Sequence, residues 1–166
     1  MHNEPKVIFV VAPHTSTFDF FVAIATMLAL GLSTSWLIAS NHSRWPLGYF
    51  MRKLGAIRVH RDSSHNLVSQ VVDEFKRNDQ MLLALSPEGT RKPVKKWKTG
   101  FWYMARDAQV PIQLVGLDYA RRQVDMGPLL WTSDEIGKDM QAIQRHFKSI
   151  KAKHPDKFCG DHLHDQ

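Results

Sequence analysis

Histidine titrates near neutral pH, and a carboxylate beside it can decide which ring nitrogen carries the proton. His14 and Asp19 stand five positions apart in the stretch Pro13-His14-Thr15-Ser16-Thr17-Phe18-Asp19. On one continuous helix that spacing would separate them around the axis. In a loop running into a helix, Asp19 can fold back onto one ring nitrogen, and the other can then take a proton from a hydroxyl. A substrate hydroxyl can be the nucleophile itself, so the pair needs no serine or cysteine of the protein. The plainer alternative makes Asp19 a helix cap and His14 a loop histidine, since aspartate is a preferred capping residue.

Two further stretches offer anion chemistry. Gly55-Ala56-Ile57-Arg58-Val59-His60-Arg61 allows a tight turn into a short strand, with Arg61 emerging at its far end. A guanidinium there can grip a phosphate with two parallel hydrogen bonds. Ser86-Pro87-Glu88-Gly89-Thr90-Arg91 directly follows an apolar run. Its turn offers main-chain N–H groups, a hydroxyl and a guanidinium to an anion. Glu88 can brace Arg91 or Arg61, or meet the hydroxyls of an acceptor. Taken singly, each stretch also reads as an ordinary surface turn or strand with solvated arginines.

These residues need elements to hold them. Strand patterns fall at residues 6–12, 35–39, 56–60, 81–85 and 110–117. Helical patterns fall at 20–30, 46–54, 64–76, 99–108 and 133–151. In the third of these, Leu67, Val68, Val71, Val72 and Phe75 share one face. Alternation of strands and helices favours an α/β sandwich with a largely parallel central sheet. In such sheets ligands bind beyond the carboxyl ends of strands, and His14, Arg61 and Glu88 each follow one. A single domain over residues 1–154 is expected, with a poorly ordered tail at 155–166.

Composition narrows the partners. The chain has 166 residues, 43% hydrophobic and 23% charged, enough to bury a core. One cysteine, Cys159, excludes an internal disulfide and suits a reducing compartment. Near Cys159, the pair His162 and His164 lacks the further ligands of a metal site. The net charge of +6 draws the chain to polyanions. Residues 20–39 carry no charge, but turn formers at 31–35 break the run, so a helix followed by a strand is expected rather than a membrane span. Trp97, Phe101, Trp102 and Tyr103 follow lysines at 92–98, a pattern that fits either a membrane interface or the core.

Together, His-x-x-x-x-Asp, Gly-x-x-x-x-x-Arg and Glu-Gly-Thr-Arg, in this order, resemble the glycerolipid acyltransferases of the lysophosphatidate acyltransferase superfamily, most of all their short bacterial form. Val110-Pro111-Ile112 resembles a fourth block of that family, and the likeness runs from about Val7 to about Asp118. It implies that His14 is the catalytic base and Asp19 its partner. Arg61 and Arg91 would bind the acceptor phosphate, and Glu88, Gly89 and Thr90 would shape the acceptor pocket. The implied donor is acyl-CoA or acyl carrier protein, and the acceptor a glycerol phosphate or lysophospholipid. No metal or redox cofactor is implied, and no nucleic acid is expected as a partner. The expected place is cytoplasmic, on the inner face of an anionic membrane.

The likeness has gaps. Many relatives carry a lysine near the positions of Ser40 and Asn41, and its absence weakens lysophosphatidate itself as the acceptor, leaving room for another lyso-lipid. Many relatives also carry membrane helices ahead of the first block. An esterase could use His14 and Asp19, but no Gly-x-Ser-x-Gly elbow is present. A basic lipid-binding module without chemistry would not require the two residues. If Asp19 stabilises the imidazolium, the His14 midpoint is expected to move upward.

Overall fold

The computed structural model describes residues 4–39, 55–59 and 64–158. Arg61, the helix expected at 46–54, and Cys159, His162 and His164 lie outside the described residues.

Uninterrupted apolar runs make the central strands. β1 (Lys6–Ala12) is buried along nearly its whole length, as is β5 (Ile112–Asp118). The remaining strands are β2 (Thr34–Ala39), β3 (Ala56–Val59), β4 (Met81–Leu85) and β6 (Gln123–Leu130). The helices are α1 (Phe18–Ala29), α2 (Ser64–Arg77), α3 (Gly100–Ala108) and α4 (Ile136–Phe147). One six-stranded sheet results, in the order β3-β2-β4-β1-β5-β6, parallel except for β6 against β5.

Alternating side chains of the strands build two cores, as period two requires. On one face Ile8, Val10, Leu83, Ile112 and Leu114 meet Phe75 of α2, Phe101 of α3 and Phe147 of α4. On the other, Val7, Phe9, Val11, Val115 and Leu117 meet α1 through Met27 and Val22. Helix α1 is the only described helix whose side chains pack into that second core.

The crossover from β1 passes over β4 to β2, and the crossover from β4 passes over β1 to β5. Adjacent strands β1 and β4 therefore send their chains in opposite directions, with α1 on one face and α3 on the other. That reversal opens a crevice at their carboxyl ends. Gly55 sits at φ +92 where a Cβ would lie 2.5 Å from the Thr34 carbonyl oxygen, so only glycine fits beside β2.

Two features depart from the sequence reading, and a third settles an alternative that it left open. Strand β6 was not expected: its half-exposed alternation is interrupted by Gly127 and Pro128, residues that an edge strand tolerates. Trp97, Phe101 and Trp102 are buried and belong to the core, leaving only Tyr103 of that aromatic group exposed. Packing also runs four residues beyond the boundary expected at 154: Pro155–Lys157 forms a 3-10 turn, and Phe158 lies against the Trp97 ring.

Candidate functional site

The loop after β1 carries His14 into the crevice, and the first turn of α1 carries Asp19. Asp19 folds back as a carboxylate beneath the loop, 1% exposed. Its Oδ2 accepts the main-chain N–H groups of Thr15 and Ser16, both at 2.7 Å. Its Oδ1 accepts the Ser16 hydroxyl at 3.0 Å and the Tyr119 hydroxyl at 2.6 Å. The Nδ1 of His14 stands 3.6 Å from Asp19 Oδ2, an ion-pair distance longer than a hydrogen bond. Asp19 thus shapes the loop and faces the imidazole at once.

Tyr119 follows β5, the other neighbour of β1. Burial and the hydrogen bond to Asp19 push its phenol well above its ordinary range, so it stays a donor. Thr15 is buried and its hydroxyl accepts the main-chain N–H of His154 at 3.3 Å. Sequence reasoning missed Tyr119 and His154. The signal for Tyr119 was its place just past a parallel strand, at the same sheet edge as His14.

From β4 comes the second half of the site. Glu88 is 1% exposed, and its Oε1 accepts the main-chain N–H of His14 at 2.8 Å. Burial pushes its carboxyl up to about 7; the His14 N–H opposes this and the charge of Asp19 adds to it. Glu88 Oε2 is buried without a partner among the described residues. Of the alternatives open for Glu88, bracing Arg91 is not the one seen: Arg91 donates to the Thr17 hydroxyl at the start of α1. Gly89, at φ +65, and Thr90 line the cleft between them.

The His14 imidazole has a lowered pKa. Burial is the largest cause and outweighs the raising effect of Asp19; the Arg91 charge lowers it further. The upward displacement expected from sequence is therefore reversed. A neutral imidazole at neutral pH is the form that can accept a proton.

His14, Asp19, Gly89, Thr90 and Arg91 line a cleft of about 1030 Å³. His14, Asp19, Thr90, Arg91 and Lys98 make its polar part, and Phe20, Ile24, Met27, Trp36, Leu67 and Phe101 make much of its apolar part. Arg61 lies outside the described residues, so the site contains one of the two expected arginines among them.

The Acyltransferase family model matches residues 2–117, more than half of the chain. The chain belongs to the Acyltransferase family. Neither the search of curated proteins nor that of solved structures finds a significant match. An acyltransferase must bring an acceptor and an activated acyl group together, and the matched stretch holds β1 to β5 with the loops and helix that carry His14, Asp19, Glu88 and Arg91. Among the described residues no helix is long and apolar enough to cross a membrane.

Proposed function

We propose that this acyltransferase moves a fatty acyl group from a thioester donor, acyl-CoA or acyl carrier protein, to the hydroxyl of a glycerol phosphate or lysophospholipid acceptor. The observation that carries this reading is a neutral, half-buried His14 facing Asp19 where an apolar cleft meets the Arg91 guanidinium. His14 Nε2 accepts the proton as the acceptor oxygen attacks the thioester carbonyl. The tetrahedral intermediate then collapses, the C–S bond breaks, and the imidazolium returns the proton to the departing thiolate. Asp19 orients the ring and steadies its charged form.

Arg91 fits the acceptor phosphate, with Gly89 and Thr90 beside it and Arg61 as a second ligand. Glu88 belongs to this site as the group that fixes the His14 main chain. The apolar part of the cleft suits an acyl chain. Such substrates are amphiphiles, which supports a reading of the protein as working at the inner face of an anionic membrane.

The deciding experiment follows thiol release from acyl-CoA and from acyl carrier protein, with and without a panel of lysophospholipids, and identifies products by mass spectrometry. Acceptor-dependent release with an acylated lysolipid supports the reading. Acceptor-independent release makes the protein a thioesterase, and no release with either donor removes the proposed reaction.

A further inference from the structure

Helix α1 presents three faces. Val22 and Met27 pack on the sheet, and Phe20, Ala23 and Ile24 line the cleft. The third face points to solvent, yet it is apolar. Phe18, Phe21, Ala25, Leu28 and Ala29 recur at steps of three and four and are all exposed, followed by Leu30. Phe18, Phe21 and Leu28 are 52%, 60% and 74% exposed. Soluble surfaces scatter such residues; a contiguous stripe marks a contact surface.

The surroundings of the stripe indicate what it contacts. Lys153 Nζ stands 4.2 Å above the Phe18 ring. Arg91 is tied to Thr17, one residue before the helix. Arg121 and Arg122 are exposed in the turn that follows Tyr119, whose ring Lys153 also approaches. Lys153 and Arg91 thus flank the end of the stripe nearest His14. A second copy packed with its α1 parallel to this one would set its own cations against these, like against like. An anionic lipid surface would neutralise them and cover the apolar side chains together.

We propose that the outer stripe of α1 rests in an anionic phospholipid bilayer, with Lys153 and Arg91 at headgroup level. The proposal deepens the acyltransferase reading and depends on it for the choice of partner. Ile24 lines the cleft while Phe21 and Leu28, three before it and four after it, lie on the stripe. The cleft therefore opens beside the lipid, and an amphiphilic acceptor passes from bilayer to His14 without crossing water. This places the membrane surface on α1 rather than on the buried aromatic group around Trp97.

The test uses the full chain carrying Cys159→Ser and a single new cysteine labelled with an environment-sensitive nitrobenzoxadiazole dye. The label is placed by Phe21→Cys, or by Gln141→Cys at an exposed position of α4 as the control. Vesicles of phosphatidylglycerol and phosphatidylcholine should brighten and blue-shift the label at 21 and leave that at 141 unchanged. Phe21→Glu with Leu28→Glu should weaken vesicle binding about a hundredfold, about tenfold for each apolar side chain no longer buried. Acyl transfer between short-chain, water-soluble substrates should stay unchanged in that double variant.

A label at 21 that ignores vesicles, or unchanged vesicle affinity of the double variant, overturns the proposal. So does a dimer in sedimentation whose label at 21 is already blue-shifted without lipid. A responsive label in a protein that transfers no acyl group would uphold the surface and remove the reaction, so the two readings fail separately.

Discussion

The main-chain N–H of His14 donates to Oε1 of Glu88 at 2.8 Å, joining the loop after β1 to the loop after β4. Glu88 is consequently part of the scaffold that holds His14. Glu88→Ala leaves a buried N–H without an acceptor and should cost about 1–3 kcal/mol. Glu88→Gln keeps an acceptor and should fold. Because the folded carboxyl is raised to about 7, the folded chain holds its proton above the ordinary 4.5, where the unfolded chain releases it. That contribution is full below about 4.5 and is lost as pH rises through about 7. Thermal denaturation of the Gln variant across this window should show a smaller loss than wild type; parallel curves would place the titration elsewhere.

His14→Ala should lower kcat about a hundred- to ten-thousand-fold, the usual range for a positioned general base. Asp19→Asn should cost about ten- to a hundredfold, less than a buried triad aspartate, because the Nδ1 contact is 3.6 Å. The loop should survive that change, since the amide oxygen can take the N–H groups of Thr15 and Ser16 while hydroxyls turn to meet its nitrogen. The double variant should lose little more than His14→Ala. Near-normal transfer by a folded His14→Ala protein would remove His14 from the mechanism.

The acid limb of the kcat/KM profile should lie below the ordinary histidine value of 6.5, because burial of His14 outweighs Asp19. Asp19→Asn removes the raising charge and should move the limb lower still. Arg91→Gln removes a lowering charge and should move it upward. Shifts in the reverse directions, read from profiles at saturating donor, would mean that another group titrates.

For the guanidinium itself, Arg91→Lys keeps the charge and loses the planar fork. Acceptor KM should rise about tenfold, with little change in donor KM. A rise confined to the donor would assign Arg91 to the phosphates of CoA.

Tyr119→Phe deletes a donor at 2.6 Å from a buried carboxylate. A loss of about 1.5–3 kcal/mol in chemical denaturation is expected, the range for hydrogen bonds to charged groups. A fall in kcat with unchanged KM for both substrates would show that the phenol positions Asp19; a stability loss alone would make it a structural tie.

Legibility in the sequence followed local physics. β1 was readable because its run of apolar residues is buried on both faces, and α2 because Leu67, Val68, Val71, Val72 and Phe75 fall on one side. β6 was hidden because an exposed edge strand buries too little to enforce a pattern. Helix α4 begins at Ile136 rather than at 133 because Asp139 accepts the main-chain and side-chain groups of Ser133 and the indole N–H of Trp102. That capture is tertiary and leaves no spacing to read. His14, Asp19 and Arg91 were legible as a motif. Tyr119 was not, because its partner lies a hundred positions away.

The hydrogen bond from His154 to Thr15 and the one from Tyr119 to Asp19 both begin beyond residue 117, where the family match ends. The stretch matched by the family is therefore smaller than the unit that holds the loop around His14 in place. A chain cut after Asp118 would keep His14, Asp19, Glu88 and Arg91 but strip β6 from the sheet edge, and Ile143 and Phe147 from the core. The loop around His14 would lose its restraint from below and from the side. The segment after residue 118 thus acts as a clasp on the loop that the first strand delivers, whatever else it does.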